Sequence, residues 1–379
     1  MLFAIGSLGG GGSERQVLTI LHHLDRSRFE PYLYLIRRQG EWLDHVPDDV
    51  PVTAFDDRSH RPRGIWPGRI HHMQVEDMAG VIRELSIDVV YDRTYFMTLI
   101  SAPATRRCGV PRISAIVSSP RQDLNDTAGR LMWVKRRLLK RAYRSAARVT
   151  ANSEGLRQEA IAYYCPPPEQ VVVAHNILDL ERIGRLSREP APPFAPTRFH
   201  IVTAGRLHPA KGQQYLLAAV EELVHRRRKE QVRLHILGGG ELDAELREFV
   251  RSHRLGDFVE MAGFVPNPYP YFRAADLFCL PSLYEGLPNV LLEAMACEVP
   301  VLSTDCPSGP REILAGGQYG RLVPPADATA LADAIEEALG RTDRRQEVVA
   351  AARAHVEQTY SPTAGMERLE SLLLAACHG

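Results

Sequence analysis

Glu285 and Glu293 stand eight positions apart in the run Pro281-Ser-Leu-Tyr-Glu-Gly-Leu-Pro-Asn-Val-Leu-Leu-Glu-Ala-Met-Ala. The residues before it, Asp276-Leu-Phe-Cys-Leu, form a short apolar run that reads as a buried parallel strand. Pro288 falls where a helix would begin, with its fixed φ and missing N–H both tolerated there. The N–H groups of Asn289, Val290 and Leu291 are then expected to point out of the helix start, at the positive end of its dipole. Such a start at the carboxyl end of a strand can receive an anion. With one carboxylate outside that pocket and one a turn inside the helix, the pattern suits a phosphate flanked by hydroxyls, as in a nucleotide sugar. The plain alternative is a solvated loop acid and an ordinary helix acid.

A second charged pair opens the carboxyl half, in Phe199-His-Ile-Val-Thr-Ala-Gly-Arg206-Leu-His-Pro-Ala-Lys211-Gly. Arg206 and Lys211 follow a strand end across a turn, converging where a diphosphate would lie. Fixed cations there would stabilise the charge that develops on a departing nucleoside diphosphate. Glycines strip the backbone bare after three other strands: Gly9-Gly-Gly-Gly12, Gly238-Gly-Gly240, and Gly263 before Phe264 and Val265. Neither a dinucleotide-binding G-x-G-x-x-G nor a P-loop is met at the first of these.

The elements that must hold these residues alternate between strand and helix throughout. Expected strands are Leu2–Ile5, Pro31–Ile36, Val89–Asp92, Ile113–Val117 and Val149–Ala151, then Phe199–Ala204, Val232–Leu237, Phe258–Met261, Leu277–Leu280 and Val299–Ser303. Ser187-Arg-Glu-Pro-Ala-Pro-Pro-Phe-Ala-Pro reads as a linker. The division expected is therefore a first Rossmann-like domain at 1–184, a second at 185–361, and a terminal helix at 362–379, with a cleft between the two domains.

These motifs resemble the retaining GT-B glycosyltransferases of family 4, whose signature is this E-x7-E and whose G-R-x-x-x-x-K-G element matches Arg206 and Lys211. The resemblance covers nearly the whole chain. It implies an α/β GT-B fold of two doubly wound domains, and metal-independent transfer of a sugar from a nucleotide donor with retention. Catalytic roles would fall on Glu285, Arg206 and Lys211. Donor contacts would fall on Gly10, Gly11, Gly12, Gly238, Gly239, Phe264, Val265, Gly286, Leu287, Pro288, Asn289, Val290 and Glu293, with Glu293 toward the ribose and Glu285 toward the sugar. Acceptor contacts would come from Arg93, Ser118, Ser119 and Arg121 in the first domain. Many members carry a histidine after the strand resembling Arg112-Ile-Ser-Ala-Ile-Val117; here Ser118-Ser119-Pro120-Arg121 follows instead. Either the sugar is oriented otherwise or one of the serines substitutes. Thr304-Asp-Cys-Pro-Ser-Gly-Pro-Arg-Glu resembles bacterial surface-polysaccharide members, which points to a UDP-N-acetylhexosamine donor and a saccharide or lipid-linked acceptor. The terminal helix would cross back to the first domain. A sugar-nucleotide-binding scaffold without turnover, or a nucleotide-sugar epimerase of related architecture, are the alternative readings.

Composition narrows the rest. With 46 Lys+Arg against 46 Asp+Glu, nothing global favours nucleic acid. Six cysteines without C-x-x-C spacing suggest a reducing compartment, and no signal peptide or spanning segment is visible, so a cytoplasmic protein is expected. No cofactor or metal is expected either: no Asp-x-Asp occurs, and the His22-His23 and His71-His72 doublets cannot face one site. Residues 129–149 hold eight basic side chains and no acid, interleaved with Trp133, Leu138 and other apolar residues. That stretch reads as a basic amphipathic helix for an anionic membrane surface or polyanionic acceptor, and otherwise as a solvated helix face.

Overall fold

Short Val-, Ile- and Leu-rich runs, buried on both faces, give parallel strands wherever helices cover both sides of a sheet. The computed structural model describes residues 1–9, 11–58, 68–121, 132–191, 193–340 and 345–378. These form two compact units, residues 1–177 with 362–379, and residues 178–361.

The first unit carries a seven-stranded parallel sheet of β1 (Leu2–Ile5), β2 (Tyr32–Leu35), β3 (Val52–Ala54), β4 (Val90–Arg93), β5 (Arg112–Ile116), β6 (Arg148–Ala151) and β7 (Val171–Val173), in the order β3-β2-β1-β4-β5-β6-β7. Strand order reverses between β1 and β4, which pair with Ala4 opposite Asp92. The Gly12–His23 helix buries Val17, Leu18, Ile20 and Leu21 against this sheet. The terminal helix, Pro362–His378, adds Met366, Leu369, Leu373 and Ala376 to the same core. Its Glu370 accepts a hydrogen bond from the Asp25 N–H at 3.0 Å and pairs with Arg28 at 3.1 Å.

The second unit carries six parallel strands, β8 (Phe199–Ala204), β9 (Val232–Leu237), β10 (Val259–Gly263), β11 (Leu277–Leu280), β12 (Val301–Thr304) and β13 (Arg321–Val323), in the order β10-β9-β8-β11-β12-β13. Here the order reverses between β8 and β11.

The chain passes between units at Ile177–Leu178, earlier than the position 185 suggested by the proline-rich run. Leu178 and Ile183 belong to the second unit's core, and the Leu178 N–H donates to the Tyr360 carbonyl at 2.8 Å. The supposed linker is instead part of that unit. Phe194 stacks on His200 and His235, each with centroids 4.3 Å away, and the Ala195 carbonyl lies 2.9 Å from His200 Nε2. Apolar packing has captured a segment whose composition alone reads as free.

Leu373 is fully buried where the terminal helix meets the first unit's core. Leu373→Ala should destabilise that unit by about 2–5 kcal/mol. Chemical denaturation followed by a probe in residues 1–177 checks this.

Candidate active site

Ligands of open α/β sheets bind outside the carboxyl ends of strands where strand order reverses. In the second unit that place is framed by the turn after β8, residues 205–212, and the loop after β11, residues 281–288. The Leu283 N–H donates to the Ala210 carbonyl at 2.8 Å, joining the two backbones. Lys211 Nζ lies 2.6 Å from Glu285 Oε1, and Ser282 Oγ donates to the same oxygen at 2.6 Å. Gly212 lies at φ +63°, and a Cβ there would fall 2.1 Å from the Pro281 carbonyl oxygen. The turn therefore approaches the loop as closely as two backbones can.

The Glu285 side chain is 9% exposed, so without Lys211 and Ser282 it would be a buried and poorly compensated carboxylate. Thr304 Oγ1 at the end of β12 donates to the Ser282 carbonyl, tying the loop to the next strand. Buried Cys306 lies beside the pair. Burial first, and the Glu285 charge second, push its thiol up to about 12, so it stays protonated and inert as a nucleophile. Arg206 is exposed and has no carboxylate partner among the described residues; its carbonyl accepts from Gln213 Nε2 at 3.1 Å. The site thus presents one cation held in place and one free to meet a ligand.

The loop leads into the Asn289–Ala296 helix, with Pro288 as the residue before its first turn. The Leu291 N–H donates to the Pro288 carbonyl at 3.0 Å, so fewer N–H groups face outward than the three expected. The tight proline entry closes a short turn there, which satisfies that donor internally. Glu293 is buried at 4% exposure on the next turn, and Leu287 packs in the core beside Leu291 and Leu292. Gly286 and Val290 are half-buried along the same loop and helix start.

The remaining turns of this edge are interlocked by main chain. Gly205 N–H donates to Leu237 O at 2.9 Å, Leu207 N–H to Gly239 O at 3.0 Å, and Gly238 N–H to Gly263 O at 2.7 Å. A Cβ at Gly238 would fall 1.9 Å from the Gly205 carbonyl oxygen. Phe264 stands out at 69% exposure, while Val265 packs partly against the core.

In the first unit the reversal point lies between β1 and β4. Gly10 lies outside the described residues. Gly11 caps the Gly12–His23 helix, and the Glu14 carboxylate folds back over it: a Cβ at Gly11 would fall 2.4 Å from Glu14 Oε2. That helix start therefore already meets a negative charge from its own first turn. Gln16 anchors the helix by accepting from the Ile177 N–H at 2.8 Å and donating to its carbonyl at 2.7 Å. Arg93, at the carboxyl end of β4, is 5% exposed. Its neighbour Asp92 is wholly buried, accepting from Thr98 and Ser101 at 2.6 Å and pairing with Arg112 at 3.3 Å. Ser119 Oγ is committed to Glu159 at 2.5 Å, while Ser118 is half-buried and Arg121 exposed. Sequence reasoning missed Ser282, Asp92 and Arg112, whose signals were a hydroxyl three residues before Glu285 and opposite charges on adjacent strands.

The basic segment forms a helix over Met132–Arg144, and Arg148 belongs to β6, not to that helix. Residues 129–131 lie outside the described residues. Leu139, Ala142 and Tyr143 turn inward, and Arg136 sits over the Tyr163 ring at 4.2 Å. The exposed side carries Met132, Trp133, Arg137, Leu138, Arg141 and Arg144. Among the described residues, no three His, Cys, Asp or Glu side chains group to hold a metal ion, and no helix is long and apolar enough to cross a membrane.

Twin parallel α/β units with charged or glycine-bearing loops at their reversal points define the GT-B architecture of sugar-transferring enzymes. A family profile described as Glycosyltransferase Family 4 matches residues 10–182, and one described as Glycosyl transferases group 1 matches residues 198–341. A D-inositol 3-phosphate glycosyltransferase of Pseudarthrobacter chlorophenolicus is 30% identical over 288 residues, spanning 73% of this chain and 68% of that protein. The N-acetylgalactosamine-N,N'-diacetylbacillosaminyl-diphospho-undecaprenol 4-alpha-N-acetylgalactosaminyltransferase of Campylobacter jejuni is 28% identical over 334 residues, 84% of each chain. The solved structure of HepE from Anabaena in complex with UDP shares the fold with a TM-score of 0.81 at 21% identity, covering 99% of both chains. The chain belongs to the family 4, group 1 glycosyltransferases, and it is a glycosyltransferase.

Gly212→Ala should abolish most transfer activity, because the added methyl collides with the Pro281 carbonyl and separates Lys211 from Glu285. Left-handed backbone at a residue other than glycine adds strain of about 1–3 kcal/mol. That strain should lower the thermal midpoint, so turnover lost at temperatures well below the variant's own midpoint would locate the damage in the site.

Proposed function

We propose that the enzyme transfers an N-acetylhexosamine from a UDP-sugar to a saccharide or lipid-linked acceptor, with retention at the anomeric carbon and without a metal ion or other cofactor. The observation that carries this reading is the half-buried Lys211–Glu285 pair at the reversal point of the second unit, with exposed Arg206 on the same turn as Lys211. A nucleoside diphosphate gains negative charge as the sugar leaves, and Arg206 and Lys211 supply fixed positive charge there. Donor contacts by the Gly238–Gly239, Phe264–Val265 and Gly286–Val290 loops, with Glu293 toward the ribose, are consistent with that placement. Glu285 addresses the sugar, and the departing phosphate oxygen itself takes the acceptor proton, so no separate general base is required. The Campylobacter relative is named for N-acetylgalactosaminyl transfer onto a saccharide linked to diphospho-undecaprenol, and HepE was solved with UDP, which supports this donor and acceptor class.

The acceptor side is the first unit. The exposed face of the Met132–Arg144 helix, with Trp133 and Leu138 among Arg137, Arg141 and Arg144, suits the surface of an anionic membrane carrying a lipid-linked acceptor. The enzyme is then cytoplasmic and peripheral to the membrane.

Glu285→Gln should leave UDP affinity unweakened, because it releases Lys211 for the diphosphate, while turnover falls by orders of magnitude. Arg206→Ala should weaken UDP far more than uridine. Calorimetry with both ligands, and initial rates in EDTA, check these outcomes together. Loss of all turnover in EDTA, restored by magnesium or manganese, would sink the metal-free reading.

Replacing Trp133, Arg137 and Arg141 with alanine, glutamine and glutamine should release the enzyme from anionic liposomes without slowing transfer to a soluble acceptor. Each lost basic residue removes about 1 kcal/mol of surface attraction. Cosedimentation at low salt reads the effect, and wild type that ignores such liposomes would overturn the membrane reading.

A further inference from the structure

Arg93 and Asp92 are adjacent at the carboxyl end of β4, and both are buried. Asp92 has its counter-charge in Arg112, which is 2% exposed. Arg93 has none: among the described residues no carboxylate lies within 4 Å of its guanidinium. Its partners are neutral. Nη1 donates to the Tyr91 hydroxyl at 3.1 Å, Nη2 to Asn176 Oδ1 at 3.3 Å, and Nε to Ser13 Oγ at 3.5 Å. Those bonds engage three of the five N–H groups a guanidinium carries. A buried charge is normally paired, because desolvation without a counter-ion costs several kcal/mol per ion. The neutral partners fix the direction of the guanidinium without balancing it.

The place is also specific. Arg93 ends the strand beside which strand order reverses, pairs opposite Ala115 of β5, and reaches Ser13 in the first turn of the helix after β1. That is where an open α/β sheet takes its ligand. Glu14 lies on that same helix turn but folds back over Gly11. It therefore sets a limit on how far a second anion can extend toward the helix start.

We propose that Arg93 is the counter-charge for an anionic group on the acceptor, a phosphate, diphosphate or carboxylate adjoining the hydroxyl that receives the sugar. Tyr91, Asn176 and Ser13 are its positioning residues, holding the fork so that its two remaining N–H groups meet the anion. The inference rests on reading the first unit as the acceptor side. It narrows that acceptor to one bearing negative charge close to the reacting hydroxyl. A diphosphate linked to a lipid and the carboxylate of an acidic sugar share this chemistry.

The test uses the full chain with Arg206→Ala and Lys211→Ala already in place, so that the second unit no longer offers its own cations. Inorganic pyrophosphate and glucuronate are titrated calorimetrically into this background and into the same background carrying Arg93→Met. The expected result is binding of at least one anion in the first, weakened at least about tenfold, 1.4 kcal/mol, in the second. Pyrophosphate preferred over glucuronate points to a lipid diphosphate, and the reverse to an acidic sugar. The thermal midpoint without ligand gives an independent reading. Arg93→Met should hold or raise it, since an unbalanced charge is removed, whereas Arg112→Met should lower it by stranding Asp92. If the methionine variant does not fold, Arg93→Lys decides, and weaker anion binding is required because a point charge replaces a two-pronged donor. No anion binding in the background chain, or binding indifferent to Arg93, overturns the proposal. Failure of UDP to bind the wild-type chain would instead strike the donor reading and leave this one standing.

Discussion

A short ion pair between two loops, Lys211 with Glu285 at 2.6 Å, is the contact around which the second unit's strand ends are arranged. Its partners are set by backbone. Leu283 donates to Ala210, Gly212 has no side chain to hold Pro281 away, and Thr304 fixes Ser282 from the neighbouring strand. A carboxylate this enclosed needs its remaining lone pairs satisfied, and the Ser282 hydroxyl supplies such a bond. The charged group is therefore positioned before any ligand arrives, which is the condition under which a site stabilises a transition state without reorganising.

The first unit solves a related problem with another distribution of charge. Asp92 collects Thr98, Ser101, Ser114 and Arg112 into a closed buried network, in which each donor is aimed at one carboxylate. One residue further along the same strand, Arg93 is left with neutral company. Successive residues of a strand point to opposite faces, so the two ions cannot serve one another despite being neighbours in sequence. The sheet geometry separates a structural charge from a charge that has no structural counterpart.

Most strands and the charged residues of the second unit were readable from composition and spacing. Arg206, Lys211 and Glu285 fall on turns after buried apolar runs, as the Phe199–Ala204 and Leu277–Leu280 segments announce. The three strands that escaped notice, Val52–Ala54, Val171–Val173 and Arg321–Val323, have three residues each and lie at sheet edges. A run that short cannot display alternation, and only its partner strand gives it an identity. The unit boundary was misplaced for a similar reason. Proline content marks conformational stiffness, but Phe194 found two imidazole rings to stack on, a long-range contact that no local pattern encodes. The folding of Glu14 back over Gly11 was equally invisible, because a glutamate two residues into a helix reads the same whether its carboxylate faces solvent or its own backbone.

The interlocking of main chain along the second unit's strand ends has a consequence for how such a protein can diverge. A Cβ at Gly212 or Gly238 would strike a neighbouring carbonyl, and Gly205 holds a φ of +152° that side-chain-bearing residues rarely adopt, so those turns are closed to substitution. Phe264, by contrast, projects from the same edge with most of its surface in solvent. Variation that alters which ligand is accepted has room at such projecting positions, while the charged frame beneath them is inherited as a single piece.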